Sequence, residues 1–226
     1  MNSDQIKRVW LRQIIFVPVF FALLLAPAGS LDYWQGWVFG VLFFVTTTAI
    51  GIYFLKRDPR ALERRMKIGP TAEREPTQKL IITVILAGFV LLLIIPGFDH
   101  RWYWSEVPTW LVLTSDAFVV LSLIATAVVV RQNGYAASTV TVEAGQPVIS
   151  TGLYAIVRHP MYSAALVMTG FTPLALGSYW GLLMIVPIVA TLAWRLLDEE
   201  RVLKRDLPGY VDYCRRVRYR LIPGIW

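Results

Sequence analysis

The sequence predicts an all-α, polytopic membrane protein with about six apolar segments, a C-terminal helical hairpin and an interfacial amphipathic C-terminal helix. Of its 226 residues, 56% are hydrophobic and 16% are charged, whereas soluble domains carry roughly 25% charged residues. A helix needs roughly 20 apolar residues to cross a hydrocarbon core. The stretches that approach this length lie at 13–28, 34–55, 80–97, 110–130, 161–177 and 179–197.

The first and the fifth apolar stretches differ from ordinary spans. The first follows basic residues, and we expect a retained span rather than a signal peptide. The fifth is short, and only Gly177 and Ser178 separate it from the sixth, so the two are expected to form a tight hairpin. We expect one structural domain, with N-terminal helices in 1–110 and a functional core in 111–226.

Lysine and arginine are distributed unevenly among the connections. The N-terminus, the 56–79 loop, the 131–160 segment and the tail from Arg195 hold all of the 22 basic residues except Arg101. Because cytoplasmic loops carry the excess of both residues, we expect these segments and both termini in the cytoplasm. The membrane would be the plasma or inner membrane of a prokaryote, or the endoplasmic reticulum of a eukaryote. This topology explains the net charge of +7 without a nucleic-acid partner.

The remaining composition narrows the chemistry. With one cysteine and two histidines, the chain cannot form an internal disulfide or a Cys/His zinc site, so no metal is expected. The 56–79 loop is interpreted as a solvated, lipid-facing connector without assignable chemistry.

Asp116 lies inside the fourth stretch, where an ionisable group is costly. It is either functional or satisfied by an interhelical contact near Thr114, Ser115 and Ser122.

The 131–160 segment is long for a connection in a protein of this size. Its residues 139–142 alternate in a strand-like pattern, and a short helix is expected from Ser150 or Thr151 to Arg158. The His-Pro pair that follows disfavours a helical conformation at the histidine. The chain is therefore expected to bend there, before the fifth span begins.

Two polar clusters bracket the predicted hairpin. One runs from Gly152 to Tyr162 and the other from Arg195 to Glu200. In an antiparallel hairpin both emerge on the cytoplasmic side, where they would form a compact site. Arg195 and Glu199 are four residues apart and share a helix face, so a plain ion pair is one alternative, whereas Glu200 turns about 100° away.

A short motif precedes the predicted hairpin and reads Arg158-His159-Pro160-Met161-Tyr162. After the hairpin come Glu199, Glu200 and a tyrosine-rich basic tail. This pattern resembles the isoprenylcysteine carboxyl methyltransferase family, which shares it with phospholipid methyltransferases, over about residues 128–226. The resemblance implies S-adenosyl-L-methionine as methyl donor in a cytoplasm-facing pocket. It also implies a lipophilic methyl acceptor that arrives from the bilayer, and makes residues 111–226 a methyltransferase core.

The resemblance also implies a set of site residues. Those predicted to contact the donor are Gln132, Gln146, Pro147, Val148, Ile149, Tyr154, Arg158, His159, Pro160, Tyr162, Glu199 and Glu200. Arg195 matches the arginine that faces the substrate carboxylate in carboxyl methyltransferases, so Arg195 and Glu199 are the predicted catalytic residues. Two positions depart from the family pattern: Ala164 replaces a frequent glycine, and Gln146 replaces a histidine of the eukaryotic enzymes. Judged from the residues alone, His159 is equally compatible with a helix cap and with a ligand contact.

The predicted activity is S-adenosylmethionine-dependent methyl transfer to a lipophilic acceptor at the cytoplasmic membrane face. Retention of Arg195 favours a carboxylate-bearing acceptor over a phospholipid amine or a small thiol. A sterol-reductase-like membrane oxidoreductase using NADPH is an alternative, but the 131–160 segment offers only Arg131 and Arg158 to a 2′-phosphate. A non-enzymatic membrane binding protein is another. The amphipathic C-terminal helix either adheres to lipid head groups or covers the site.

Overall fold

The computed structural model describes residues 3–66, 69–73, 76–136, 142 and 145–226. Within this part of the chain the regular elements are α-helices and short 3-10 turns, without strands, which confirms the all-α prediction. The helices are α1 (Ser3–Ala28), α2 (Trp34–Arg57), α3 (Pro59–Met66), α4 (Pro76–Trp102), α5 (Thr109–Gln132), α6 (Pro160–Ala175), α7 (Ile185–Asp206) and α8 (Tyr210–Arg216). The 3-10 turns are Pro70–Ala72, Gly152–Ala155 and Trp180–Met184.

The long segment between α5 and α6 contains less helix than predicted. The helix expected to reach Arg158 is a single 3-10 turn, Gly152–Ala155, and no side chain caps it. Most of the strand-like stretch, residues 139–141, lies outside the described residues. Val142 has no regular secondary structure.

Four helical segments are long and apolar enough to cross a membrane, namely Trp34–Arg57, Pro76–Trp102, Thr109–Gln132 and Trp180–Asp206. A shorter apolar helical segment covers Ile15–Ala28. With 16 residues, α6 is about 24 Å long at 1.5 Å per residue, less than the ~30 Å hydrocarbon core. The chain is an integral membrane protein, although the predicted six apolar segments exceed the four full-length spans found in the described residues.

The helices pack as a bundle around the α6–α7 hairpin. Phe118 of α5 and Phe171 of α6 stack with their ring centroids 4.3 Å apart, which fixes the two helices side by side. Leu92 of α4 and Ile188 of α7 belong to one buried apolar cluster. The interior of the bundle therefore holds α4, α6 and α7 together, and these are the helices that carry the site.

The hairpin begins and turns where the sequence predicts. His159 has φ −127° and ψ 64°, and α6 begins at Pro160, which confirms the bend because proline disfavours a helical residue before it. At the other end Gly177 adopts φ +72°, a left-handed conformation open to glycine. The two polar clusters consequently lie at the same end of the bundle.

Asp99 fixes the hairpin turn at the opposite end of the bundle. Its carboxylate is buried and its Oδ2 accepts hydrogen bonds from the hydroxyls of Ser105, at 2.7 Å, and Ser178. The Ser178 hydroxyl in turn accepts one from the backbone N–H of Gly181 at 3.0 Å. This network ties the turn to the end of α4, so the position of the hairpin along the bundle is set from that side.

Asp116 of α5 is buried, and neither of its carboxylate oxygens has a hydrogen-bond partner within the described residues. The hydroxyls of Thr114, Ser115 and Ser122 each donate to a backbone carbonyl of their own helix. Within the described part of the chain, the structure thus shows no interhelical contact that satisfies Asp116.

Candidate functional site

A cavity of about 600 Å³ lies at the end of the bundle where α6 begins and α7 ends, a volume typical of small-molecule sites. One part of its wall comes from loops and helix ends and holds the polar side chains of Gln146, Tyr154, Arg158, His159, Tyr162, Arg195 and Glu199, beside Pro147, Val148 and Ile149. The other part is apolar and comes from the bundle interior, namely Phe43, Ile82, Ile85, Leu86, Phe89, Leu123, Ala165, Met168 and Leu192. The cavity thus suits one polar and one lipophilic molecule, or one molecule with both characters.

Glu199 joins the cavity wall from the last turns of α7. The hydroxyl of Tyr162, in the first turn of α6, donates a hydrogen bond of 2.6 Å to Oε2 of Glu199. The contact links the two helices of the hairpin, as the motif pairing predicts. It also fixes the direction in which the carboxylate points, because α6 and α7 are both held by the bundle.

Tyr154 lines the same polar wall from the 3-10 turn before α6. Burial raises the pKa of Tyr154 to about 12, against the lowering effect of the hydrogen bond from Asn133, and the charge of Glu199 adds to the rise. The Asn133 side-chain nitrogen lies 3.2 Å from the phenol oxygen. Tyr154 is therefore neutral at physiological pH and keeps a proton with which to hydrogen-bond a ligand.

α8 covers the polar wall. Tyr210 and Tyr213 of α8 line the cavity and form a buried cluster that also contacts Val148. The hydroxyl of Tyr213 donates a 2.8 Å hydrogen bond to the backbone carbonyl of Tyr154. Of the two roles considered for the amphipathic C-terminal helix, these contacts favour covering the site over adhering only to lipid.

Arg195 lies close enough to Glu199 for the two charges to attract each other, and it has further polar partners outside α7. Its Nη2 donates to Oε1 of Glu73 at 2.7 Å, and its Nη1 donates to Oε1 of Gln78 at 2.9 Å. The amide nitrogen of Gln78 then donates to Asp198. This buried chain of polar groups connects the start of α4 to α7 and fixes the guanidinium at the cavity wall.

The 56–79 loop therefore belongs to the site, and its interpretation as a lipid-facing connector without chemistry is wrong. Glu73 of this loop is only 5% exposed. Arg65 of α3 lines the cavity, with Nη1 3.0 Å from the sulfur of Met161. Arg64 donates to the carbonyl of Gly134 at 2.9 Å, which ties α3 to the loop after α5. Burial lowers the pKa of Arg65, and the nearby phenols of the site oppose this change.

Glu200 occupies a separate ion cluster behind the cavity. Its Oε1 lies 3.1 Å from Nη1 of Arg158 and 3.3 Å from Nε2 of His159, while its Oε2 lies 3.5 Å from Nζ of Lys204 and 3.3 Å from Nε of Arg220. Glu200 is 2% exposed and does not line the cavity. The sequence predicts that Glu200 contacts the donor. In the structure, Glu200 instead holds together the start of α6, the end of α7 and the C-terminal tail.

Gln132 is also placed differently from the prediction. Its Oε1 accepts a 3.0 Å hydrogen bond from the backbone N–H of Leu153. Gly152 has φ +61°, and a Cβ at this position would lie 2.6 Å from Nε2 of Gln132. Gln132 does not line the cavity, so its direct role is to fix the turn that carries Tyr154.

Two polar atoms of the cavity walls are buried without a hydrogen-bond partner in the described part of the chain. They are the hydroxyl of Tyr210 and Nε of Arg158, and both residues line the cavity. Buried polar groups normally have partners, but protein atoms screen these two from open space, so they do not mark a ligand contact. The polar side chains that line the cavity, among them the Glu199 carboxylate and the neutral Tyr154 phenol, fit the amino and hydroxyl groups of a sulfonium nucleoside such as S-adenosylmethionine.

Most of the predicted site residues meet at one cavity. Those that line it are Gln146, Pro147, Val148, Ile149, Tyr154, Arg158, His159, Pro160, Tyr162, Arg195 and Glu199. Sequence reasoning missed Arg65, Asn133, Tyr210 and Tyr213 as lining residues, and Glu73 and Gln78 as partners of Arg195. No local pattern marks Glu73 or Gln78, because their partner lies more than a hundred positions away.

The comparison with known protein families agrees with the resemblance that the 158–162 motif indicates. Residues 110–207 match the model of the phospholipid methyltransferase family, which confirms the resemblance to integral membrane methyltransferases. This stretch contains α5, the loop that follows it, and the α6–α7 hairpin. The match therefore covers the elements that bring most of the polar wall together.

A curated relative is a delta(14)-sterol reductase of Mus musculus, which is 30% identical over 95 residues. The aligned stretch covers 39% of this chain and 22% of the reductase. The chain thus spans about a fifth of the length of that relative.

Proposed function

From the match of residues 110–207 to the phospholipid methyltransferase family, we propose that this protein transfers a methyl group from S-adenosylmethionine to a lipophilic acceptor. Bound S-adenosylmethionine would supply an electrophilic methyl group on a positively charged sulfur. The observation that carries the proposal is the Glu199–Tyr162 pair in the wall of a cavity that also holds the 146–149 stretch. A carboxylate and backbone groups in one wall suit a donor with amino and hydroxyl groups.

The chain's own residues would act by binding and orientation. Glu199, fixed by Tyr162, would hold a polar group of the donor, and the neutral phenol of Tyr154 would donate a further hydrogen bond. Tyr210 and Tyr213 would exclude water from the side of the cavity that α8 covers. Holding two reactants in line in a water-poor site accounts for much of the acceleration of such transfers. No proton donor is required for attack by an anionic acceptor.

The acceptor is proposed to lie with its chain in the apolar part of the cavity and its reacting group near Arg195. A carboxylate-bearing acceptor is favoured because a guanidinium lines the wall there. A phospholipid amine and a small hydrophobic thiol remain the alternative classes. With the termini and the 131–160 segment in the cytoplasm, the donor would arrive from the cytoplasm and the acceptor from the bilayer.

Calorimetry on the detergent-solubilised protein tests the donor. We expect saturable binding of S-adenosylhomocysteine, and the absence of such binding would overturn the proposal. Glu199→Ala is expected to weaken this binding. Arg195→Ala is expected to preserve it and to abolish turnover in a screen of lipophilic acceptors with labelled S-adenosylmethionine. Normal turnover in both variants would show that the site is elsewhere.

Similarity to a sterol reductase supports a second candidate, a membrane oxidoreductase that uses NADPH. The same calorimeter distinguishes the two. Binding of NADPH at micromolar concentration without binding of S-adenosylhomocysteine would favour the reductase. The reverse result would favour the methyltransferase.

A further inference from the structure

The Arg195–Glu73 pair raises a question of charge at the place where the acceptor would react. Arg195 and Glu73 are each 5% exposed, and Glu73 Oε1 lies 2.7 Å from Nη2 of Arg195. Arg195 lines the cavity, whereas Glu73 contacts it from outside the cavity wall. The guanidinium that would meet an anionic acceptor thus already has a carboxylate against it.

Two carboxylates on one buried guanidinium would oppose each other. A buried charge is tolerated when an opposite charge compensates it, and a second like charge in the same site is unfavourable. With Glu73 in place, the Arg195–Glu73 pair is close to neutral, and the charge of Glu199 also acts on the same guanidinium. An incoming anion therefore gains little from Arg195 unless the charge of Glu73 is withdrawn.

The remaining contacts of Arg195 would keep its position if Glu73 moved away. Nη1 donates to Gln78 at 2.9 Å, and the amide of Gln78 is fixed by Asp198. Gln78 is 1% exposed and lies in the first turns of α4. Glu73 instead lies in the connection between the Pro70–Ala72 turn and α4. Gln78 would thus hold Nη1 in place while Nη2 exchanges its partner.

We propose that Glu73 sets the head-group selectivity of the cavity: it compensates Arg195 when no acceptor is bound, and an anionic lipophilic acceptor binds Arg195 only by taking its place. Glu73 is a positioning residue, since it acts through Arg195. The inference rests on the proposed function in taking Arg195 as the residue that meets the acceptor. It adds that the carboxylate preference depends on displacing an internal carboxylate.

The test uses two probes with the same apolar chain and different head groups, oleate and oleyl alcohol. Binding of each radiolabelled probe is measured by scintillation proximity on the full chain in nanodiscs of uncharged phospholipid. Glu73→Gln keeps an oxygen that can accept from Arg195 but removes the charge. We expect this variant to bind oleate at least about tenfold more tightly than the wild type, since close charge pairs couple by about 1.5 kcal/mol or more. Binding of oleyl alcohol should be unchanged.

Glu63→Gln is the matched control, because Glu63 is an exposed residue of α3 in the same loop. It removes the same charge and should leave the ratio of oleate to oleyl alcohol affinity at the wild-type value. An unchanged ratio in Glu73→Gln, or an equal change in both variants, would overturn the inference. Neither probe involves a methyl donor, so failure here is distinguishable from failure to bind S-adenosylhomocysteine.

A second measurement needs no variant and covers the case in which Glu73→Gln does not fold. Amide hydrogen exchange of the wild type is followed over the segment that carries Glu73. Oleate should accelerate exchange of this segment, because its carboxylate releases Glu73, while oleyl alcohol should not. Slower exchange with oleate, or the same exchange with both probes, would contradict the proposal.

Discussion

The two consecutive glutamates at the end of α7 serve two different regions of the molecule. Glu200 lies in an ion cluster within 3.5 Å of Arg158, His159, Lys204 and Arg220. Glu199 lies in the cavity wall, where the hydroxyl of Tyr162 binds it. The two side chains differ by about 100° around the helix axis. This rotation points the two carboxylates at different neighbours, and the cations that surround Glu200 come from the start of α6, α7 itself and the tail.

The difference indicates that the end of α7 serves both the stability of the fold and the binding of a ligand. The ion cluster at Glu200 joins α6, α7 and the C-terminal tail through compensated charges. The carboxylate of Glu199 lies in the cavity wall, where a neutral hydroxyl orients it and its charge acts on nearby Arg195. We therefore expect changes in the cluster to affect folding and changes in the wall to affect donor binding.

The largest expected effect is on stability, from Glu200→Ala. Removing this carboxylate leaves Arg158, which is 7% exposed, without its compensating charge, and breaking a buried pair in this way costs about 3–5 kcal/mol. We expect a large drop in the thermal unfolding temperature in detergent. Asp212→Ala removes a carboxylate from an exposed pair with Arg215 and should change stability by less than about 1 kcal/mol. Equal losses in the two variants would contradict a structural role for the cluster.

The second effect is on donor binding, from Glu199→Gln. The amide keeps the shape of the carboxylate but loses its charge, and hydrogen bonds to charged groups contribute about 1.5–3 kcal/mol. We expect the affinity for S-adenosylhomocysteine to fall about ten- to hundredfold, with the unfolding temperature nearly unchanged. Asp212→Asn provides the control for loss of one negative charge. If Glu199→Gln instead lowered the unfolding temperature and left the affinity for S-adenosylhomocysteine unchanged, Glu199 would have a structural role like that of Glu200.

The smallest effect is expected from Tyr162→Phe, which removes the hydroxyl that orients Glu199. A single hydrogen bond contributes about 1 kcal/mol, so the affinity for S-adenosylhomocysteine should fall about fivefold. The loss should disappear in the background of Glu199→Ala, since the hydroxyl then has no carboxylate to orient. Tyr179→Phe, at an exposed tyrosine in the hairpin turn, is the control. Additive losses in the double variant would mean that Tyr162 acts independently of Glu199.

Several features of the fold and site were predictable because their causes are local. Pro160 determines the bend at His159, and Gly177 determines the turn of the hairpin, through the conformations that each residue allows. An antiparallel hairpin then brings both of its ends to one side of the membrane. The convergence of Tyr154, Tyr162 and Glu199 on one cavity follows from those constraints.

The tertiary structure decided the partners of the charged residues. Glu73 and Gln78 contact Arg195 from the beginning of α4, and Arg65 reaches the cavity from α3, although the 56–79 loop has the composition of an ordinary basic connector. A charge pair depends on distance in space, and sequence periodicity carries no information about contacts between distant segments.

By itself, then, the sequence determined a helical membrane protein, its C-terminal hairpin and the family motif, because apolar length, proline and glycine act over a few residues. Only the tertiary structure decided that Glu199 faces the cavity while Glu200 is enclosed by cations, and that Arg195 already has a carboxylate partner. These outcomes depend on how α4, α6, α7 and the tail pack together, since burial and distance determine what a charge contributes.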